Sequence, residues 1–338
     1  MDSVTQAALG AAIGVAVMHR HRPVWQSALA GALIGTLPDL DVFIDKGDAV
    51  RDMVLHRAET HAFFWQLLVS PLLAGVLAWL TRTRELYGRW WLLVILGLVT
   101  HSMLDAMTVY GTQVWLPFSN RPVGLGSLFI IDPLYTLPLV VGVVGTLVWR
   151  RGARWRWNLA GLLLSTLYAG WSVAAQAYVT ERVRAAPEAA QLDERRILVT
   201  PTPFNTLLWR IVLVTEDHYY EGFRSLLDPP GAIAFERYER GAVLDRRTAG
   251  FGDADLIRRF SRGFYALSDD GHRIRITDLR MGQEPYYPFS FAFAEHHSEP
   301  LVPIAPIRHR SRLPIGPGMH WLWQRIRGLP VVTPREQA

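Results

Sequence analysis

Residues 90–119 read "WWLLVILGLVTHSMLDAMTVYGTQVWLPFS". The first ten are apolar apart from one glycine, and they run directly into His101 and Asp105. A carboxylate in the middle of a bilayer costs roughly 2.5 kcal/mol or more. Such a pair is therefore either buried and paired for structure, or placed at a membrane edge where it does chemistry. The fold class turns on which of the two holds, and the pattern on either side decides it.

Working outward, six apolar segments recur in the first half of the chain: Val4–Met18, Val24–Leu37, Ala62–Leu80, Trp90–Leu104, Phe129–Trp149 and Trp157–Val179. A helix needs about 20 apolar residues to cross the hydrocarbon core. The third, fifth and sixth meet that, and the fourth does so with Thr100, His101 and Ser102 at its far end. The first two are short and read as a helical hairpin packed within a bundle. Gly10, Gly14, Gly31 and Gly35 recur on them at four-residue spacing, the small-residue pattern that lets helix backbones approach closely. The frequency of glycine in membrane helices accounts for the same pattern.

Taken as six crossings, the connections 19–23, 81–89 and 150–156 share one side. They hold Arg20, Arg22, Arg82, Arg84, Arg89, Arg150, Arg151, Arg154 and Arg156. The longer connections 38–61 and 105–128 hold only Lys46, Arg51, Arg57 and Arg121. The positive-inside rule puts the arginine-rich turns in the cytoplasm. Both termini, the two longer connections and residues 181–338 then lie on the non-cytoplasmic side. The N-terminal "MDSVTQAALGAAIGVAVMHRHR" lacks a positive n-region and carries its basic residues after the apolar stretch, so it reads as a retained segment rather than a secretory signal.

The whole chain is 338 residues, half of them apolar, with 13 Trp, 19% charged residues and a formal net charge of +5. Its length suits two domains. No finger spacing or aromatic-basic stripe accompanies the mild positive charge, so nucleic acid is not an expected partner. The absence of cysteine excludes disulfides, thiolate metal sites and a cysteine nucleophile.

The polar motifs of the first half all fall at the outer ends of the segments: Asp2, "LPDLD" (Asp39, Asp41), "LHRAETHA" (His56, Arg57, Glu59, His61), "THSMLD" (His101, Asp105) and "IIDPLYT" (Asp132). His101 and Asp105, at i and i+4, project from one helix face about 6 Å apart, which suits two ligands of one ion or a ligand and its hydrogen-bonding partner. A histidine bonded only to its own helical neighbour fits the same spacing. Asp39 and Asp41 point the same way only in extended chain, which Pro38 favours; a turn with a helix cap fits equally. His56 and His61 lie about 140° apart on an ideal helix, so they converge only by folding of the loop before segment three, with Thr60 as its N-cap. Together these imidazoles and carboxylates would repel unless a divalent cation resolved the excess of acceptors. The mixed set suits Zn, Mn or Fe, with candidates enough for one or two ions.

Asp2 with "TQAALG", then "LPDLD", "HRAETHA" and "HSMLDAMTVYGTQVWLPFS", in this order, resemble the membrane-bound metal-dependent hydrolase family related to the bacterial inner-membrane protein YdjM, described as LexA-regulated and otherwise a domain of unknown function. The similarity covers roughly residues 1–180. Ala58 and Ala62 replace the glycine and serine of that family's H-R-G-x-T-H-S motif, while His56, Arg57, Thr60 and His61 remain. The expected fold is a polytopic α-helical membrane bundle of about six transmembrane or embedded helices over 1–180, followed by a smaller soluble α+β domain over 181–338. The expected activity is hydrolysis of an ester or phosphoester, of a lipid or lipid-linked substrate, at the outer face of the membrane. His56, His61, His101 and Asp105 are the first-choice ligands, with Asp39 and Asp41 next. Asp2 and Asp132 complete a second site or orient histidines; Glu59 is the candidate general base, and Arg57 the cation for developing phosphoryl charge. A cation transporter would use the same acidic cluster, and a non-enzymatic stress-response membrane protein would use it for stability alone.

In the second half, "RILVTPTPFNTLLWRIVLVTEDHYYEGFRSLLD", "AIAFERYER", "GFYALSDDGHRIRITDLRMG" and "PYYPFSFAFAEH" alternate β-formers with turn residues, and "DADLIRRFSRGF" reads as a helix. His296 and His297 are a surface pair or additional ligands. The tail "HWLWQRIRGLP" is amphipathic, which suits either the lipid surface or a simple exposed helix.

Overall fold

The structure is a computed structural model, and it describes residues 1–149, 152–189, 192–295, 301–309, 311 and 314–331. His296 and His297 lie outside the described residues. Among the described residues there are ten α-helices, four 3₁₀ turns and two antiparallel four-stranded sheets. The chain divides into two compact units. One comprises Met1–Ile44, Arg57–Val173 and Pro203–Asn205; the other comprises Asp45–His56, Ala174–Thr202 and Thr206–Ala338.

The first unit holds helices α1 (Ser3–Met18), α2 (Val24–Thr36), α4 (Phe63–Leu80), α5 (Tyr87–Ala106), α6 (Pro133–Val148) and the start of α7 (Trp155–Arg184). All six apolar segments are helical, yet the six-span membrane bundle expected from them is corrected here. Among the described residues only α4 and α7 are long and apolar enough to cross a membrane. The reason is length and polarity. At 1.5 Å per residue, 16-residue α1 and α6 reach about 24 Å, short of a core about 30 Å thick. Helix α2 has only 13 residues, and α5 ends in a polar turn.

Helix α4 is polar inside and apolar outside. It buries Gln66, Ser70, Ala74 and Ala78 at four-residue spacing and exposes Leu67, Leu68, Leu72 and Trp79. In water that distribution would be inverted; in lipid, small and polar residues belong between helices. Helices α1 and α2 form the tightest pair. A Cβ on Gly31 would land on the carbonyl of Gly10 and 2.9 Å from the Cα of Gly14, so only glycine allows these backbones to meet. Asp2 caps α1, accepting from the Val4 and Thr5 amides, and Asp132 caps α6 and accepts from the Tyr168 hydroxyl at 2.9 Å.

The second unit contains sheet β1 (Ile197–Pro201), β2 (Leu208–Val214), β3 (His218–Ser225), β4 (Phe235–Glu239) and sheet β5 (Tyr265–Asp269), β6 (Arg273–Asp278), β7 (Ser290–Glu295), β8 (Val302–His309), each in sequence order. The C-terminal part of α7 supplies Ala175, Val179 and Val183 to a core with Val199, Trp209, Ile211 and Leu213. Helix α9 (Gly252–Phe260) buries Ala254, Ile257 and Phe260, the apolar positions of its 3.6-residue period. Helix α10 (Ile315–Ile326) seats Trp321 and Leu322 on Leu208 and Phe223. Short helices α3 (Ala49–Leu55) and α8 (Ala242–Arg247) complete the unit.

Candidate metal centre

Three backbone devices in the first unit bring distant side chains together. Helix α2 tightens after Leu37 into a 3₁₀ turn over Pro38–Phe43, which presents Asp39. The chain reverses at Arg57, whose φ of 65° is in the left-handed region, before a second 3₁₀ turn at Glu59–His61 presents His61. The last turns of α5 present His101 and Asp105, one helical turn apart.

One ligand atom from each of Asp39, His61, His101 and Asp105 lies within 4.8 Å of the other three, a group that could hold a metal ion. The individual edges are narrower. His61 Nε2 is 3.1 Å from His101 Nε2, 3.5 Å from Asp39 Oδ1 and 3.3 Å from Asp105 Oδ2; His101 Nε2 is 3.5 and 3.7 Å from the same two oxygens. Ligands about 2.1 Å from a tetrahedral ion are separated by about 3.4 Å. The observed edges bracket that value. His61, His101 and Asp105 are fully buried, and Asp39 is the one ligand with solvent access, 16% exposed.

The surrounding hydrogen bonds set which atoms face inward. His101 Nδ1 donates to the Gly35 carbonyl at 2.6 Å. His61 Nδ1 donates to Thr60 Oγ1 at 2.8 Å, and that hydroxyl donates onward to Asp41 Oδ2 at 3.2 Å. Each ring thus carries its proton on Nδ1 and turns the Nε2 lone pair to the centre, as metal-bound histidines do. Gln6 Nε2 holds Asp105 Oδ1 at 3.0 Å, and the Met1 amino group contacts the same oxygen. Asp39 Oδ1 and Asp105 Oδ2 are buried with no hydrogen-bond donor on them. Four lone pairs therefore converge; the Arg57 guanidinium 3.0 Å from Asp105 Oδ2 offsets part of that charge, and a bound cation or an added proton would relieve the rest. Burial disfavours a charge on His61, but its contacts with Asp105 and Asp39 outweigh that and raise its pKa above the ordinary imidazole value. Burial would likewise raise Asp39, yet the two imidazoles hold its carboxyl well below the usual range. The site attracts positive charge.

Arg57 borders the cluster, its Nε 3.0 Å from Asp105 Oδ2, its Nη1 donating to Thr108 Oγ1 at 3.2 Å and its guanidinium 4.7 Å from the centre of the Tyr110 ring.

Of the sequence-level candidates, the structure brings Asp39, His61, His101, Asp105 and Arg57 together. Asp41 is not among the converging ligand atoms; its Oδ2 accepts from the Arg57 amide at 3.1 Å and from Thr60. Glu59 is exposed. Asp2 and Asp132 are spent on helix caps. His56 ends α3, in the second unit. Thr60 is not the cap of α4, a position held by Ala62; it is the relay between His61 and Asp41. Sequence reasoning passed over Gln6, Gln66 and the Gly35 carbonyl. The two glutamines had a signal, being amides inside apolar helices; Gln66 Nε2 ties Ser102 Oγ (2.7 Å) to the Thr60 carbonyl (3.0 Å). A backbone carbonyl has none.

A helical unit with exposed apolar surface and a buried two-histidine, two-aspartate cluster, joined in one chain to a β-sheet unit, defines the class. The chain belongs to the YdjM inner membrane protein family, whose profile matches residues 1–179. It is 25% identical over 312 residues to the uncharacterized protein YfhP of Bacillus subtilis (strain 168), covering 86% of this chain and 89% of that one. It is 34% identical over 123 residues to the inner membrane protein YbcI of Escherichia coli (strain K12), covering 35% of this chain and 68% of that one. No solved structure matches it.

Proposed function

We propose that this inner-membrane-family protein is a metal-dependent hydrolase of an ester or phosphoester of a lipid or lipid-linked molecule. The observation that carries the proposal is the convergence of four ligand atoms, two imidazole nitrogens and two carboxylate oxygens, all within 4.8 Å of one another. Two imidazole nitrogens and two carboxylate oxygens at these separations suit Zn²⁺ first. Such an ion, when bound, polarises an ester oxygen and makes water nucleophilic at neutral pH.

The chain's own residues divide the remaining work. His61 and His101 are locked by Thr60 and Gly35, so the cluster is preorganised. Asp39, the ligand with solvent access, marks the mouth. Arg57 is fixed by Asp105, Thr108 and Tyr110 and supplies a rigid cation for charge that grows on a phosphoryl or acyl oxygen. Exposed Glu59, two residues before His61, is the candidate base. His61 lies at the N-terminal end of α4, opposite the turn carrying Arg82 and Arg84 that follows this helix, and by the positive-inside rule this supports a non-cytoplasmic position for the cluster.

One observation favours a second reading. Four protein ligands, three of them fully buried, resemble a closed structural site rather than one with an open position. Elemental analysis of detergent-purified protein, followed by an ester and phosphoester hydrolysis screen with and without chelator, separates the two. The wild type should carry about one equivalent of metal, and His101→Ala and Asp105→Asn should lose it. Unchanged metal content in both folded variants would remove the assignment. Metal without chelator-sensitive hydrolysis would leave the structural role.

A further inference from the structure

Helix α10 carries more apolar surface than the fold buries. Trp321 and Leu322 are 3% and 6% exposed, packed on Leu208 of β2 and Phe223 of β3. The helix is locked at its end as well. Arg325 Nη1 and Nη2 reach Asp228 at 2.6 and 2.8 Å, and the Ile326 carbonyl accepts from Ser225 Oγ at 2.6 Å. Ile315, Met319 and Trp323 recur at i, i+4 and i+8 and are 76%, 46% and 61% exposed. At 100° per residue they form one stripe spanning about 80° of the helix surface. On the same wheel buried Leu322 lies about 20° to one side of Ile315, so the stripe borders the core-facing side and its exposed surface widens toward Trp323.

The borders of the stripe indicate its occupant. At the same angular step Arg327 and His320 follow Trp323 on the flank, and both are exposed, while Leu329 beyond the helix end is 43% exposed. Tryptophan, methionine and isoleucine in line, with a basic residue on the flank, match an interfacial helix lying in the headgroup region. Tryptophan is enriched at that level because its ring is apolar and its N–H polar. An arginine beside it keeps its head among lipid phosphates while its stem covers apolar surface. The continuous helix α7 runs from the first unit into the second, so the second unit is covalently held near any bilayer that α7 crosses, and even a weak surface contact would be populated.

We infer that the stripe Ile315–Met319–Trp323 is a membrane-surface contact, with Arg327 on lipid phosphate. It holds the β-sheet unit against the bilayer and is independent of the metal cluster.

The chain contains no cysteine, so Met319→Cys in the full protein carries a single thiol for an environment-sensitive fluorophore. Reconstituted into nanodiscs of phosphatidylglycerol and phosphatidylcholine, the label should emit to the blue. It should be quenched about twofold or more by lipids bearing a nitroxide near the top of the acyl chain, the depth an interfacial helix reaches. A nitroxide deep in the chain should quench it less. Trp323→Cys, on the same stripe, should behave likewise and guards against a local defect at position 319. In the Met319→Cys protein, Arg327→Ala should reduce the quenching, more so in phosphatidylglycerol-rich discs. A label quenched by aqueous iodide but not by lipid nitroxide would place the stripe in solvent. One quenched by neither would place it under protein. Either result overturns the inference.

Discussion

Gly31→Ala tests whether helix packing sets the geometry of the cluster. Glycine at 31 faces α1 so closely that a methyl group there would overlap the Gly10 carbonyl and lie 2.8 Å from its carbon and 2.9 Å from the Gly14 Cα. Carbon atoms in contact need about 3.5 Å, so α1 and α2 must part by roughly 1 Å or bend. Every clashing atom is backbone, so no rotamer change relieves it. Overpacking of this kind costs about 1–3 kcal/mol. The displacement is also carried along α2 to Gly35, whose carbonyl orients His101 at 2.6 Å, and to the Pro38–Phe43 turn that bears Asp39. Metal sites tolerate about 0.2 Å in ligand position, and loss of an orienting hydrogen bond typically costs about 10–100-fold in metal affinity. Gly31→Ala should therefore melt earlier and bind zinc at least tenfold more weakly in competition with a chromophoric chelator. Gly75→Ala is the control. On α4 an added methyl meets nothing closer than Tyr87 Cε2 at 4.0 Å, so zinc affinity should stay at the wild-type value and the melting temperature should hold or rise slightly, as alanine favours the helix. If Gly31→Ala keeps the wild-type melting temperature and zinc affinity, the coupling of packing to the cluster is refuted.

Two further outcomes follow from particular contacts. Thr60→Val removes the hydroxyl between His61 and Asp41 while preserving shape, and should weaken zinc binding by about 10–100-fold with the other ligands intact, measured by the same competition. In the second unit, burial would raise the Asp228 pKa, but Arg325, aided by the Ser225 amide and Arg224, holds it below the ordinary carboxylate value. A depressed folded pKa gives stabilisation that is complete above about pH 4, the unfolded value, and fades as pH falls through the folded one. Hydrogen exchange of α10 amides should accordingly be faster in Asp228→Asn than in wild type at neutral pH, and the two should converge in acid; a difference that persists or grows in acid would contradict this origin.

The positions of the helices, the glycine seam and the His101–Asp105 pair were all readable in the chain, because each depends on residues within a turn or two of one another. The 3.6-residue period places i and i+4 on one face whatever surrounds the helix. Hydropathy, by contrast, measured apolar content rather than span, and only two of the six apolar helices, α4 and α7, combine the length and composition of a crossing. Asp39 and Asp41 separate for a local reason that the sequence left open. In a 3₁₀ turn of three residues per revolution, residues two apart point about 120° from each other, so one becomes a ligand candidate and the other a hydrogen-bonding partner of Thr60.

The pattern of amino acids alone determined which residues could ligate a cation and which surfaces were suited to lipid, since both are properties of side-chain chemistry and local periodicity. Only the tertiary structure decided that His56 and His61, five residues apart, belong to different compact units, because the chain turns at Arg57 through a left-handed backbone conformation. It alone brought Asp39 and His61 beside His101 and Asp105. Convergence of segments tens of residues apart is set by how helices pack, and backbone contacts such as that of Gly35 leave no mark on side-chain identity.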